Sequence, residues 1–344
     1  MKGWSKFKLV KYATVLLLGG LVLSCASKGE LKRNTALGEA LGTTYSIIYL
    51  TQDSLDLQQE IDSVFRVVNR SMSTYIPESD ISRINSGDTT VVVDAMFREV
   101  LELSREVYDK TQGYFDPTVG ILVNAWGFGP GAGGLTDSVH IAQLKNYVGL
   151  DKISLTEDNR IRRAYPEMQL DFNAIAKGYA IDRLAVMLDE RGVENYLVEV
   201  GGEIVVRGTN KVKGQRWVVG IDDPQVEVGR RLKTTLFLEN EALASSGNYR
   251  KFRIDSITGE KYVHTIDPTT GFTKNSHVLA ASVIAPTCAE ADAYATAFMA
   301  MDLEDSQKLI TGLSGMDCYI IYLDDNGETR EFMTSGFKSR LQKP

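Results

Sequence analysis

The chain has 344 residues, of which 43% are hydrophobic and 24% charged, values that are typical of a globular protein and exclude a disordered or multispanning chain. The formal net charge is −7, so nucleic acid is not an expected partner. Three cysteines and three histidines are too few for a disulfide scaffold or a multi-zinc site. We therefore expect a soluble acidic body with an attachment at its amino end.

The amino end has the pattern of an export signal. Four lysines precede an apolar run over residues 12–23, which is too short to span a bilayer as a stable helix. The run ends in VLSC, which resembles a bacterial lipobox; a plain secretory signal with Cys25 there by chance is the alternative. We predict a signal peptide over 1–24, lipid including palmitate on Cys25, a polar tether over 25–37 and one folded body over 38–340.

This reading predicts a protein of the bacterial cell envelope. Lipid would anchor it to a membrane surface, and the folded body would face the periplasm. In such an oxidising compartment Cys288 and Cys318 either pair or remain buried free thiols.

The body is predicted to contain both helices and strands. Residues 43–50 alternate as a strand does, 53–69 carry a helical apolar stripe, and 91–93 suggest a short strand. Asp94 caps a helix that runs to about Lys110, and another helix covers 174–191. Strand-like runs follow at 195–200, 203–208, 216–221, 232–238, 249–254 and 278–285. Two helices near 287–313 and a hairpin over 317–333, with its turn at 325–327, complete the chain.

Successive strands joined by tight turns favour antiparallel pairing, whereas parallel strands need long crossovers. We therefore predict an α+β fold, in which a largely antiparallel sheet has segregated helices and no linker divides the body.

Two residues on one predicted helix form a candidate metal site. Asp292 and Thr296 are four residues apart, so their oxygens project from one face. A carboxylate with a hydroxyl suits Mg²⁺, which prefers oxygen ligands. The alternative is an Asp near the helix start and a Thr bonded to its own backbone. We expect Asp292 to face the surface.

A lysine and a histidine are further candidates. Lys177 lies in the first turns of the helix that follows Asp171, where an ammonium and free N–H groups can bind phosphate. Asp171 is expected to cap that helix. His264 lies in a turn-rich segment and has the chemistry of a general base near neutral pH; a solvated or core histidine is the alternative.

Together these segments resemble the ApbE family, the FAD:protein FMN transferases. The resemblance runs in order through nearly the whole body: 41–45 (LGTTY), 73–75 (STY), 79–85 (SDISRIN), 113–127 (GYFDPTVGILVNAWG), 171–182 (DFNAIAKGYAID), 199–203 (EVGGE), 245–247 (SSG), 264–271 (HTIDPTTG) and 292–296 (DAYAT). Two positions depart from the family pattern, since Leu41 stands where Met is usual and Ser245 where Thr is usual. Both changes are conservative, so they affect positioning more than chemistry.

The resemblance implies a T-fold-like body that transfers FMN from FAD to a Thr or Ser hydroxyl of a target protein and releases AMP. It implies Mg²⁺ on the diphosphate, held by Asp292, Thr296 and the backbone carbonyl of Ala174, with His264 as the base. The implied FAD contacts are Leu41, Tyr75, Tyr114, Phe115, Asp116, Asp171, Lys177 and Ile266. The implied acceptor is an FMN-binding subunit of a membrane redox complex.

Two other activities stay open at this point. Water in place of the acceptor hydroxyl gives a Mg²⁺-dependent FAD pyrophosphatase that forms FMN and AMP. A non-catalytic flavin-binding lipoprotein would need neither a metal pair nor a base, so the joint presence of Asp292, Thr296 and His264 disfavours it.

Overall fold

The computed structural model describes residues 30–130, 137–226, 231–248, 252–254, 261–274 and 276–342. The helices are α1 (Gln58–Met72), α2 (Asp80–Asn85), α3 (Ala95–Lys110), α4 (Gly120–Ala125), α5 (Ser138–Leu144), α6 (Ala176–Glu190), α7 (Cys288–Ala300), α8 (Leu303–Gly312) and α9 (Ser335–Arg340). The strands are β1 (Lys32–Ala40), β2 (Thr43–Thr51), β3 (Ile153–Leu155), β4 (Ile161–Arg163), β5 (Asn195–Val200), β6 (Glu203–Arg207), β7 (Trp217–Asp222), β8 (Leu232–Leu238), β9 (Ala242–Gly247), β10 (Phe252–Ile254), β11 (Lys261–Val263), β12 (Val278–Ala285), β13 (Asp317–Leu323) and β14 (Thr329–Met333).

One large antiparallel sheet organises the body. Its strand order is β1-β2-β5-β6-β9-β12-β13-β14, and each neighbouring pair is antiparallel. The sheet does not close, because β1 and β14 are its edges. Three separate antiparallel pairs, β3–β4, β7–β8 and β10–β11, accompany it. The predicted α+β class with a largely antiparallel sheet is confirmed.

The two faces of the sheet bury different elements. Successive strand residues point to opposite faces, and Val205 and Val206 of β6 do so here. Val205 packs with α1 and α6 in a helix-side core. Val206 packs with Trp217 of β7 and Phe337 of α9 in a core on the other side. The helices that carry candidate site residues therefore lie on one face of the sheet.

Helix α7 is buried on nearly all sides. Six of its thirteen residues are alanines, and these small side chains let it pack at once against β9, β12, α3 and α6. An uncapped helix start would be costly there, and Thr287 accepts a hydrogen bond from the Glu290 amide. Any polar side chain on α7 must therefore find its partners inside the protein.

Part of the predicted tether is a strand. Lys32 to Leu37 fall within the predicted tether over 25–37, yet they belong to β1, which pairs with β2 along its whole length. Because β1 is an edge strand in which Ala36 is the one buried residue, its sequence needs no apolar alternation and is mostly polar. The predicted signal peptide and Cys25 lie outside the described residues.

Other elements agree with the prediction in part. The predicted strand over 91–93 is wrong: Val91 and Val93 are buried in a loop, and Val93 N donates to Asn159 O at 2.8 Å outside any strand. The helix cap at Asp94 is confirmed by its bond from the Phe97 amide. The predicted strand over 249–254 is seen only as β10, since 249–251 lie outside the described residues. Strand β9 was missed because its sequence, ALASSG, is rich in small residues with low strand propensity.

The two cysteines in the described part of the chain, Cys288 and Cys318, are buried free thiols, so the unpaired alternative is the one observed. Among the residues described, no helix combines the length and apolar character needed to cross a membrane.

Candidate active site

The amino end of α6 and the first turns of α7 approach each other closely. A Cβ atom placed on Gly178 would lie 2.3 Å from the Cys288 carbonyl oxygen and 2.8 Å from the Ala289 nitrogen. Those atoms are backbone and cannot rotate away, so only glycine fits. The Gly178 amide donates to Asp292 Oδ2 at 3.1 Å. This contact places the Asp292 carboxylate at the amino end of α6.

Gly178→Ala is expected to lower the free energy of unfolding by about 3 kcal/mol, because two helix backbones must separate to admit one methyl group. Urea denaturation measures the change. Gly312→Ala is the matched control, since a Cβ at Gly312 meets nothing within 4 Å and alanine is the better helix former. Equal stability of the two variants would contradict the close contact.

The three predicted metal ligands lie on the two segments that meet at this contact, with Asp292 and Thr296 on α7 and Ala174 just before α6. Asp292 is only 4% exposed, so the expectation of a surface carboxylate was wrong; the cause is the burial of α7. Among the described residues, only the Gly178 amide donates a hydrogen bond to this carboxylate, at Oδ2, which leaves Oδ1 for another ligand. Thr296 Oγ1 lies 3.3 Å from Ser246 Oγ of β9. Ala174 lies four residues before Gly178, in the turn that leads into α6.

This donor set fits Mg²⁺. It offers a carboxylate, a hydroxyl and a carbonyl, all oxygens. Burial raises the pKa of Asp292, against the opposing effects of Lys177 and the Gly178 amide, so a bound cation would relieve the cost of the buried charge. In the part of the chain that the structure describes, no three His, Cys, Asp or Glu side chains are grouped to hold a metal ion; the candidate set contains only one such side chain.

Lys177 forms a largely buried ion pair beside Asp292. Its Nζ lies 2.8 Å from Glu203 Oε2, and the Glu203 side chain is 5% exposed. Burial lowers the pKa of Lys177, but Glu203 and Asp292 together raise it above its ordinary value. For the Glu203 carboxyl, burial has the opposite effect and raises the pKa to about 7, although Lys177 opposes this rise. Lys177 therefore stays charged, at the helix end where an anion would bind.

The Glu203 carboxyl should make stability depend on pH. Its folded pKa lies above its ordinary value, so between about pH 4.5 and 7 the folded state holds more protons than the unfolded state. The free energy of unfolding is expected to fall across that window as pH rises, and Glu203→Gln removes this part of the fall. Urea denaturation at pH 5 and pH 8 in EDTA, on both proteins, measures it. An identical pH dependence in the two would contradict the assignment.

Tyr75 and Asp171, two predicted FAD contacts, lie near each other. Asp171 is 8% exposed and Tyr75 59% exposed. Burial raises the pKa of Tyr75, and the charge of Asp171 raises it further. Asn173 Nδ2 donates to Thr74 Oγ1 at 3.3 Å and so joins the two segments. Asp171 does not cap α6 as expected, because its Oδ1 accepts the Asn173 amide at 2.7 Å and α6 starts only at Ala176.

The segment over 114–116 adjoins Asp171. The Asp171 amide donates to the Pro117 carbonyl at 2.7 Å. Asp116 is buried and accepts hydrogen bonds from the amide and hydroxyl of Thr118 at 2.8 and 2.6 Å. Phe115 is 3% exposed in the core, so a ligand would meet its backbone. Tyr114 is half-buried, and burial and Asp267 both raise its pKa.

A hydrogen-bonded loop carries His264. Trp126 Nε1 donates to the Gly271 carbonyl at 2.9 Å. The Phe128 ring lies edge-on to the His264 ring, with 6.5 Å between the ring centroids. Thr265 Oγ1 donates to Asn248 Oδ1 at 2.7 Å, which ties the loop to the end of β9. His264 is half-buried.

The two remaining predicted FAD contacts, Ile266 and Leu41, pack against buried side chains. Ile266 is 8% exposed and packs with α4 and α5. Leu41 sits in the turn between β1 and β2 with φ +51° and packs against two buried clusters, the helix-side core around Val205 and a second one that includes Phe97 and Phe298.

Sequence reasoning missed three residues that hold the site together. Glu203 pairs with Lys177, Gly178 allows the helix contact, and Ser246 meets Thr296. Each lies in a segment quoted for the family resemblance, but nothing in the local pattern names its distant partner. The best available signal for Glu203 was its position directly after the Gly201-Gly202 pair.

Comparison with known proteins identifies the family. The family model described as the ApbE family matches residues 41–320. This chain belongs to the ApbE family.

Named relatives of this ApbE protein agree along the chain. The FAD:protein FMN transferase of Vibrio cholerae is 35% identical over 353 residues, covering 100% of both chains. That of Haemophilus influenzae is 32% identical over 331 residues, covering 92% of this chain and 94% of its own. Among solved structures, the flavin transferase ApbE from Vibrio cholerae has a TM-score of 0.80 at 32% identity, covering 91% of this chain and 100% of that one. The apo flavinyl transferase ApbE of Pseudomonas stutzeri has a TM-score of 0.78 at 28% identity, covering 90% of this chain and 97% of that one.

Proposed function

We propose that this ApbE-family protein transfers FMN from FAD to a Thr or Ser hydroxyl of a target protein and releases AMP. The observation that carries the proposal is the position of the Asp292 carboxylate, 3.1 Å from the Gly178 amide at the amino end of α6. A buried carboxylate there needs a cation, and a helix amino end with Lys177 beside it suits a diphosphate. The choice of FAD as the substrate follows from the names of the relatives, which are FAD:protein FMN transferases.

The candidate residues divide the work of binding FAD. Lys177 and the amino end of α6 would bind the diphosphate, and Asp292, Thr296 and the Ala174 carbonyl would hold Mg²⁺. When bound, Mg²⁺ supplies positive charge that stabilises the charge developing on the diphosphate oxygens. The side chains of Tyr75 and Tyr114, which are exposed and half-buried, would contact the organic parts of FAD. Leu41, Asp171, Ile266 and the backbone of 115–116 would shape the rest of that site.

His264 would act on the acceptor. As the hydroxyl oxygen bonds to the FMN phosphorus, the bond from that phosphorus to the AMP oxygen breaks and the hydroxyl proton passes to His264. The loop bonds of Trp126 and Thr265 would hold the imidazole in place. Positioning and charge, more than covalent participation by the protein, would lower the barrier.

The acceptor and the location belong to the same proposal. An FMN-binding subunit of a membrane redox complex, facing the periplasm, is the proposed acceptor, and lipid on Cys25 would hold the enzyme at that membrane. Cys25→Ser should release the protein from membrane fractions of the cell without changing its activity on a soluble acceptor domain. Equal membrane retention of both proteins would reject the lipid anchor.

Mass spectrometry of an acceptor domain tests the activity directly. The purified protein is incubated with FAD, Mg²⁺ and a candidate FMN-binding domain, with an EDTA control. A gain by the acceptor equal to FMN less water, lost in EDTA, supports the transferase. If AMP and free FMN are released and none of the acceptors tried is labelled, the protein is a pyrophosphatase. Bound but uncleaved FAD indicates a flavin-binding protein.

A further inference from the structure

Asp182 joins α6 to α7 with both carboxylate oxygens. Oδ1 accepts the Cys288 amide and Oδ2 accepts the Ala289 amide, each at 2.8 Å. These are successive N–H groups in the first turn of α7. Burial raises the pKa of Asp182 to about 6, although the two amide bonds oppose the rise, so the carboxylate stays in this place at a cost in desolvation.

Helix α7 already has a cap of its own. Thr287 Oγ1 accepts the Glu290 amide at 3.3 Å, and the Thr287 carbonyl accepts the Ala291 amide. The two remaining amides of the first turn take their acceptors from another helix. A carboxylate there also interacts favourably with the helix dipole. The bonds of Asp182 therefore fix where α7 begins relative to α6, beyond ending the helix.

The contact continues along the same face of α6 towards the metal ligands. Gly178 lies one turn before Asp182, and its amide donates to Asp292 Oδ2. Ala174 lies four residues earlier again. On α7 the partners run in the opposite direction, since Asp182 bonds to Cys288 and Ala289 whereas the earlier Gly178 bonds to the later Asp292. Three hydrogen bonds therefore join the two helices within about one turn of each. Ala174 precedes one helix, and Asp292 and Thr296 lie on the other.

We propose that Asp182 is a positioning residue that sets the Mg²⁺ affinity of the site by fixing α7 against α6. The inference rests on the proposed function, since it assumes that the Ala174 carbonyl before α6 and the side chains of Asp292 and Thr296 on α7 bind the same ion. Mg²⁺ requires near-ideal octahedral geometry at about 2.0–2.1 Å, so a small shift between the helices separates the Ala174 carbonyl from Asp292. Residues that orient ligands without touching the ion change metal affinity by about 10–100-fold.

Asp182→Asn tests the proposal, because it keeps the size of the side chain but turns an amide NH₂ towards one of the two N–H groups. Mn²⁺ binding to the metal-free protein, followed by the loss of the free-ion EPR signal, is measured without any turnover. The Mg²⁺ concentration for half-maximal transfer is measured separately. We expect both constants to rise about tenfold, while the rate at saturating Mg²⁺ stays within about twofold.

Two further variants separate positioning from stability. Asp94→Asn makes the same substitution at the cap of α3, where Asp94 Oδ1 accepts the Phe97 amide at 2.8 Å, and should leave both metal constants unchanged. Asp182→Glu keeps the charge and both oxygens but adds one methylene between the helices, so it should fold and still bind Mn²⁺ more weakly. It also provides the test if the Asn variant does not fold.

The outcomes are distinct. Wild-type Mn²⁺ affinity in the folded Asp182 variants would show a purely structural cap and overturn the proposal. Absence of Mn²⁺ binding by the wild-type protein would overturn both the metal site of the proposed function and this inference. Normal Mn²⁺ binding by the wild type with weakened binding by both Asp182 variants supports it.

Discussion

Asp292→Asn is expected to lower Mg²⁺-dependent transfer at least about 10³-fold, since it removes the one charged ligand of the site and metal charge stabilisation is worth several kcal/mol. The variant should fold, because the Asn Oδ1 can still accept the Gly178 amide that now bonds to Asp292. Burial raises the pKa of Asp292, so a neutral side chain should also be easier to bury. In EDTA its melting temperature should equal or exceed that of the wild type.

The measurement is single-turnover transfer at saturating FAD across a range of Mg²⁺ concentrations. Glu290→Gln is the control, since Glu290 lies two residues earlier on the same helix and bonds to Thr287 at its start. That variant should transfer FMN at close to the wild-type rate. A well-folded Asp292→Asn protein with normal transfer would remove Asp292 from the metal site.

His264→Ala is expected to slow transfer by about 10²-fold or more, the usual loss when a general base is removed, while FAD still binds. The loop should persist, because the Trp126–Gly271 and Thr265–Asn248 bonds do not involve the imidazole. Fluorescence titration measures FAD binding, and single-turnover mass spectrometry measures transfer. Added imidazole should restore part of the lost rate.

His277→Ala is the matched control for this experiment. His277 is exposed, and its Nδ1 contacts the Leu323 carbonyl at 3.1 Å. It should transfer FMN normally. If His264→Ala keeps the wild-type transfer rate with saturating FAD, another group takes the proton.

The sequence predicts the elements whose signals are local. Asp94 begins α3 because its carboxylate serves the Phe97 amide three residues on, a pattern visible in any single sequence. Strand β9 has no such signal. Its register is set by β6 and β12 on either side and by α7 packed over it, and none of these neighbours is adjacent in sequence. Val91 and Val93 show the opposite error, in which a local apolar pattern predicts a strand but the residues are buried without pairing in a sheet.

The site divides in the same way. The spacing of Asp292 and Thr296 identifies an oxygen pair on one helix face, but the burial of Asp292 depends on which elements cover α7. Lys177 is identifiable from its place at a helix start, whereas its partner Glu203 comes from a strand that only the fold brings near. Family resemblance supplied the set of residues; the contacts among them required the structure.

The early start of β1 would limit how far the enzyme can reach from the proposed anchor at Cys25. Only six residues lie between Cys25 and Lys32, the first residue of β1, and the extended chain from one to the other spans at most about 25 Å. With lipid on Cys25, as proposed, the body would stay within a thin layer beside the bilayer. An acceptor in the same membrane would then meet it at a high effective concentration. Selection of the target would then depend on location at the same membrane as much as on the affinity between enzyme and acceptor.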